Sequence, residues 1–257
     1  MTLPGLSIDL GGQTALVTGA SRGIGLAIAR VLALCGADVI GVGTTISQNA
    51  ETLAVDFEDL RGSFRPVDCD LSDRDAIAAM LAEIDANGAV INILVNNAGI
   101  IRRDEAASHS TDDWDAVMAV NLDAVFLLSR ALGSKMLERG HGKIINIASV
   151  LSFQGGVLVP GYAAAKGAVA QLTRALANEW AGHGVNVNAI APGYVATDNT
   201  SALRQDVTRS ESLIARIPAS RWGKTEEIAW PVAFLASDLA EFVHGAVLPV
   251  DGGWLAR

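Results

Sequence analysis

Positive charge is scarce in this chain. Over 257 residues, 19 lysines and arginines stand against 28 aspartates and glutamates, a formal net charge of −9. Such a surface has few cations with which to release counterions from a polyanion, which argues against nucleic acid or an anionic membrane as the main partner. Cysteine is nearly absent too. Cys35 and Cys69 are the only two, too few for a disulfide framework, and their apolar or strand-edge neighbours mark them as reduced structural thiols. The four histidines, His109, His141, His183 and His244, are scattered without ligand spacing, so no catalytic metal is expected. The first ten residues lack a basic segment followed by an apolar one, and no later apolar run reaches ~18 residues. A soluble, cytoplasmic protein with a small-molecule partner is therefore expected.

Half the residues are hydrophobic, and no linker, repeat or low-complexity tract interrupts the chain. That composition predicts one large domain over residues 1–257 with a substantial core. Apolar runs at 13–18, 37–42, 63–67, 91–95, 143–148, 185–191 and 246–250 read as strands. Helical patterns separate most of them: from Leu26 on, near 48–61, at 73–84, from Thr111 through Leu128, from Tyr162 to about Gly182, and at 225–237. Strands alternating with helices predict an α/β fold of Rossmann type: a doubly wound, mainly parallel seven-stranded sheet flanked by helices. Residues 193–218 carry Asn199, Thr200, Arg204 and Gln205 with few large apolar side chains, and read as a mobile cover suited to a polar substrate.

The first strand runs into Gly19-Ala-Ser21-Arg22-Gly23-Ile24-Gly25 and then a helix. Gly19 turns the chain, Gly23 lets a phosphate approach the backbone, and Gly25 lets the helix pack; free amides at the helix start favour an anion. The second strand ends in Gly43-Thr44-Thr45, where dinucleotide folds often place an acidic residue for the ribose hydroxyls. None is present. Arg22 and Thr44 either hold a 2'-phosphate, which admits NADP, or Arg22 simply faces solvent; the choice between NAD and NADP stays open. Asp70, beside Leu71, either caps the next helix, a position Ser72 also suits, or contacts adenine. Asn96-Asn97-Ala98-Gly99 suits a cofactor crevice as well as a tight turn.

The densest chemistry lies between Ser149 and Lys166. Tyr162 follows the Pro160-Gly161 break, and Lys166 falls one helical turn later on the same face. Lowering a phenol from its ordinary ~10 toward neutrality requires roughly 4 kcal/mol. One cation at ~4 Å and an effective dielectric of about 20 supplies roughly that much. Tyr162 then serves as a proton donor, with Ser149 hydrogen-bonding the oxygen that receives the proton. Asn121 interrupts the apolar face of a long helix and is either a structural bond-maker or part of a proton path. Arg102 and Arg103 place two cations just past the crevice. Ser152-Phe-Gln154-Gly155, between the serine and the tyrosine, would shape the substrate pocket.

Thr18-Gly-Ala-Ser-Arg-Gly-Ile-Gly25, Asn96-Asn-Ala-Gly99, Asn121, Ser149, Tyr162-x-x-x-Lys166 and Pro192-Gly193 follow one another across essentially the whole chain. Together they resemble the short-chain dehydrogenase/reductase family. The resemblance implies Tyr162 as general acid/base, Lys166 lowering its pKa and binding the nicotinamide ribose, Ser149 orienting the carbonyl, and Asn121 holding a relay water. It implies cofactor contacts at Gly19, Ser21, Arg22, Ile24, Thr44, Asp70, Leu71, Asn97, Val195 and Thr197, with Gly23, Gly25, Ala98, Gly99, Pro192 and Gly193 in the same motifs. Gly99-Ile-Ile-Arg-Arg-Asp104, Ile144–Gly156, Ala191–Thr200 and the ending Val250–Arg257 are most similar to family members that act on hexonate-type sugar acids. Arg102, Arg103, Gln154 and Asn199 would then meet the substrate. Relatives are commonly tetramers, consistent with the small-residue run Ala163, Ala164, Ala165, Gly167, Ala168 and Ala170. A 3-oxoacyl-carrier reductase is a rival that the acidic charge disfavours, and a cofactor-binding sensor is one that the intact Ser149, Tyr162, Lys166 and Asn121 set disfavours.

Overall fold

The computed structural model describes residues 7–257; the first six, part of the segment in which no leader was expected, lie outside the described residues. The strands are β1 Thr14–Thr18, β2 Asp38–Gly43, β3 Phe64–Asp68, β4 Ile93–Asn96, β5 Gly142–Ile147, β6 Val185–Pro192 and β7 Val247–Val250. They form one parallel seven-stranded sheet in the order β3-β2-β1-β4-β5-β6-β7. Strand order reverses between β1 and β4. In such a sheet, that switch point opens a crevice outside the strands' carboxyl ends, and it decides where the site lies.

Each central strand is buried on both faces, as parallel sheets require. Along β1, Ala15 and Val17 join the core under α1 (Gly23–Leu34), α2 (Ala50–Phe57) and α9 (Thr225–Ala236), whereas Leu16 points into the opposite core. That second core is built with α3 (Arg74–Ala86), α5 (Ala124–Arg139) and α6 (Pro160–Trp180). The period-2 alternation of one pentapeptide thus feeds two hydrophobic layers.

Three local details depart from expectation. The helix expected over 48–61 is shorter: a 3-10 turn over Ile46–Asn49 leads into α2, which ends at Phe57. Beyond it, Gly62 packs so tightly on Ala37 that any Cβ would collide with the Ala37 carbonyl. Neither Ser72 nor Asp70 caps α3. Asp73 does, accepting from the amides of Asp75 and Ala76, while Asp70 is occupied by Ser72. The long helix that begins at Thr111 is broken by a π segment, Ala119–Asp123, between α4 (Thr111–Met118) and α5. The stretch Thr111–Arg139 is long and apolar enough to cross a membrane by length and composition. In this fold, its α5 part packs on β4 and β5.

The cover consists of a 3-10 turn (Asp198–Thr200), α7 (Ser201–Gln205) and α8 (Val207–Arg216). It is anchored on aromatics. Tyr194 meets Trp254 edge-on at 4.7 Å and Trp222 at 5.8 Å, and Trp222 donates from Nε1 to Ser210 at 3.1 Å. Ile217, Val150 and Trp254 form the small cluster beneath.

Candidate active site

At the switch point, a crevice of about 520 Å³ runs along the sheet's carboxyl edge, within the ~300–1,000 Å³ usual for ligand sites. The glycine turn contributes Gly19, Ser21, Arg22, Gly23, Ile24 and Gly25. The ends of β2, β3 and β4 bring Thr44, Asp70, Leu71, Asn97, Ala98 and Gly99; beyond β6 come Pro192, Gly193, Val195 and Thr197. All the residues expected to contact a dinucleotide therefore share one wall-to-wall groove.

The turn itself is shaped by close approach. Gly19 has φ +65°, and a Cβ on Gly25 would lie 2.1 Å from the Gly19 carbonyl oxygen and 2.4 Å from Asn97 Nδ2. Gly25 therefore packs on the turn itself. Asn97 Nδ2 donates to the carbonyl of Thr18 at 2.8 Å, and Thr18 Oγ1 accepts from the amides of Asn97 and Ala98 at 2.9 and 3.0 Å. Thr18, which heads the glycine motif but had no role assigned from the sequence, thus ties the end of β1 to the Asn97-Ala98 turn. The tight glycine cradle at a helix start, with no side chain to fill it, fits a pyrophosphate. Arg22 lines the groove with a largely exposed side chain, 3.5 Å from the equally exposed Asp198 of the cover.

Farther along the groove, β5 delivers Ser149, which N-caps the 3-10 turn Val150–Ser152. Its Oγ accepts from the Leu151 amide at 3.1 Å, which leaves the hydroxyl proton free to point outward. Pro160 opens α6 at N1, a position that needs no amide hydrogen, so Tyr162 falls in the first turn and Lys166 in the next. Lys166 is buried and its Nζ donates to the Ile147 carbonyl at 2.6 Å. Burial depresses its pKa from 10.5 to about 8.

The phenol behaves differently from the spacing argument. Burial raises the Tyr162 pKa, opposed by a hydrogen bond from Ser149 and by the charge of Arg103. Ser149 and Arg103 offset part of that rise. The Lys166 ammonium turns to Ile147 and lies 5.7 Å from the centre of the Tyr162 ring.

Asn121 is completely buried in the π segment. Its Oδ1 accepts from Ile100 N at 2.8 Å and its Nδ2 donates to Ile100 O at 2.9 Å. Both polar ends of the side chain are therefore spent on the loop that leads to Arg102 and Arg103. The candidate substrate residues separate. Arg102 lines the groove but is paired with Asp113 at 3.1 Å. Arg103 is outside the lining, exposed, and has no ion-pair partner among the described residues. Asn199 lines the groove from the cover, whereas Gln154 lies off it, accepting from Trp254 Nε1 at 3.1 Å. Ser152, expected to shape the pocket, is turned inward instead and bonds the backbone of α6.

A doubly wound sheet with a glycine cradle at its switch point, and a hydroxyl, a phenol and an ammonium farther along the same groove, defines a class: dinucleotide-dependent oxidoreductases. Comparison with known proteins agrees. A family model described as enoyl-(acyl carrier protein) reductase matches residues 19–255. The chain is 54% identical over 249 residues to a 2-dehydro-3-deoxy-D-gluconate 5-dehydrogenase from Pseudoalteromonas atlantica, covering 97% of this chain and 98% of the relative. A provisionally named NAD(P)-dependent gluconate 5-dehydrogenase from Beutenbergia cavernae, solved with NADP at low occupancy, is 52% identical and superposes with a TM-score of 0.93, covering 97% of this chain and 99% of that one. A gluconate 5-dehydrogenase from Burkholderia cenocepacia, solved with NADP and tartrate, is 42% identical with a TM-score of 0.90, covering 97% of this chain and 98% of that one. The chain belongs to the short-chain dehydrogenase/reductase family. It is an NAD(P)-dependent oxidoreductase acting on CH–OH groups.

Proposed function

We propose that the protein interconverts a hydroxyl and a keto group on a hexonate-type sugar acid, as a 2-dehydro-3-deoxy-D-gluconate 5-dehydrogenase, an activity also called 2-deoxy-D-gluconate 3-dehydrogenase. The observation that carries this reading is Arg103. It is a cation without an acidic partner among the described residues, set close enough to the Tyr162 phenol for its charge to act there. A carboxylate-bearing substrate gives that charge a partner while its keto carbon faces Tyr162. Gluconate 5-dehydrogenase is the second reading, supported by likeness to the two gluconate 5-dehydrogenase structures.

When bound, the nicotinamide supplies or accepts the hydride. The cradle of Gly19, Ser21, Gly23, Ile24 and Gly25 would hold its pyrophosphate, with Thr44, Asp70 and Leu71 toward the adenosine. Asn97, Ala98, Gly99, Pro192, Gly193, Val195 and Thr197 would line the remainder. Ser149 donates its free hydroxyl proton to the substrate oxygen, and Tyr162 gives that oxygen a proton in reduction or takes one in oxidation. Lys166, fixed on Ile147, keeps two N–H donors for the ribose and for passing the proton onward. Asn121 acts by position, holding Ile100 and with it the arginine loop, in a π segment that packs on α6.

One domain carries both cofactor and substrate sites, with residues 193–218 as the cover and Asn199 on its inner side. A homotetramer is supported by exposed apolar groups on the edge and helix faces: Phe242 and Leu248 around β7, and Phe126 on α5. A cytoplasmic location agrees with two buried, unpaired thiols, one of which, Cys69, is pushed up to about 11 by burial. The test is a panel of keto-hexonates and uncharged ketones, each assayed with NADH and NADPH by nicotinamide absorbance. Preference for an uncharged ketone or a 3-oxoacyl thioester would overturn the sugar-acid reading.

A further inference from the structure

The hydroxyl of Ser149 and the phenol of Tyr162 come from different elements, a 3-10 turn after β5 and the first turn of α6. Their separation is useful only if turn and helix keep a fixed register, and a misplacement of about 1 Å can cost about 100-fold in rate. One side chain spans that gap. Ser152 Oγ accepts from the backbone amide of Ser149 at 3.3 Å and donates to the backbone carbonyl of Lys166 at 2.6 Å. Its own amide donates to the Ser149 carbonyl at 2.9 Å, closing the turn. A single hydroxyl therefore touches the main chains of two residues whose side chains face the reaction. It lies off the groove, so substrate contact does not explain it.

We infer that Ser152 is a positioning residue that locks the Ser149 turn to α6 at Lys166 and so sets the distance between the Ser149 hydroxyl and the Tyr162 phenol. This rests on the roles proposed for Ser149, Tyr162 and Lys166. The competing turn bond, Leu151 N to Ser149 Oγ, stays within the turn and does not reach the helix. Without the Ser152 hydroxyl, nothing in the turn's own hydrogen bonds ties it to Lys166. The turn can then shift relative to the phenol while the groove for the dinucleotide remains intact.

The experiment compares Ser152→Ala, Ser152→Thr and Ser152→Cys with the unaltered enzyme, using the best substrate of the wild-type panel. Readouts are kcat, KM, NADPH affinity by fluorescence and the pH profile of alcohol oxidation. Ser152→Ala is expected to lower kcat about 10- to 100-fold and to move the rising limb of the oxidation profile to higher pH. The direction follows because Tyr162 must be deprotonated to accept a proton, and a displaced Ser149 no longer stabilises the phenolate. NADPH affinity should stay within about twofold, Ser152→Thr should recover most of kcat because it keeps the donor, and Ser152→Cys, a weak donor, should lie between. If Ser152→Ala fails to bind NADPH, Ser152→Cys decides on the same readouts. Unchanged kcat and pH limb in the variant that binds NADPH, or a loss that Ser152→Thr does not recover, would overturn the inference. Tyr162→Phe run alongside separates the two levels: an active Tyr162→Phe removes the catalytic reading itself, whereas an inactive one beside a normal Ser152→Ala removes only the role of Ser152.

Discussion

Replacing Lys166 by methionine should abolish turnover while leaving the folded protein at least as stable at neutral pH, and the pH dependence of that comparison is calculable. Burial moves the ammonium from 10.5 to about 8. At about 1.4 kcal/mol for each tenfold change in proton affinity, charging Lys166 costs about 3 kcal/mol more in the folded protein than in the unfolded chain. Methionine removes that cost but also removes the charge-assisted bond to the Ile147 carbonyl, worth about 1.5–3 kcal/mol. The two nearly cancel at pH 7. The folded pKa is depressed, so the unfolded chain binds more protons between pH 8 and 10.5, and wild-type stability rises with pH through that window. The penalty is fully present below about 8 and gone above 10.5. Relative to Lys166→Met, wild type should therefore gain about 2–3 kcal/mol between pH 7 and pH 10, or about 5–10 °C in Tm for a chain of this length. Thermal or urea unfolding of both ligand-free proteins at pH 7, 9 and 10 reads this directly. Parallel curves would refute the desolvated ammonium and, with it, the claim that the site keeps a charge that folding disfavours.

Tyr162→Phe should cut turnover by about 100- to 10,000-fold with cofactor affinity unchanged; comparable loss of NADPH binding would instead mark Tyr162 as structural. Arg103→Ala should raise KM for a sugar acid about 10- to 100-fold, the worth of a hydrogen bond to a charged group, with little change for an uncharged ketone. Because Arg103 helps hold the phenol down, the same variant should also shift the rising limb of alcohol oxidation to higher pH. Arg102→Ala should do less, since Asp113 already occupies that cation, and equal effects would remove the distinction between the two. Thr44→Asp should move the kcat/KM ratio toward NADH, because a carboxylate suits ribose hydroxyls and repels a 2'-phosphate; an unchanged ratio would place Thr44 away from the ribose.

The sheet was legible because its information is local. Apolar runs bounded by glycine and polar clusters mark all seven strands to within two residues at either end, and the motif residues at the strand ends then fall in one groove by topology alone. What stayed hidden depends on where a side chain turns. Nothing in Tyr-x-x-x-Lys shows that the ammonium bonds Ile147, nineteen positions upstream, rather than approaching the phenol oxygen. Two adjacent arginines look equivalent until Asp113, eleven residues beyond Arg102, claims the first. Ser152 reads as pocket lining from its neighbours, yet its partner is a helix carbonyl fourteen residues away. Such long-range hydrogen bonds leave no periodic trace in the chain.

Those hidden bonds share a logic. Ser149 and Lys166, at the inner end of the groove, each spend part of their capacity on the backbone and keep a remainder for the reaction. Ser149 Oγ accepts from Leu151 and retains its proton; Lys166 Nζ gives one hydrogen to Ile147 and retains two. Asn121 spends both ends on Ile100 and so acts through the loop it fixes. A hydroxyl or ammonium left free on a buried wall would rotate among partners, whereas one bond to a rigid main chain fixes the direction of the remaining donors before substrate arrives. The site's polarity is thus aimed by strand ends and helix turns, the stiffest parts of the fold, and the substrate meets donors that need little reorganisation.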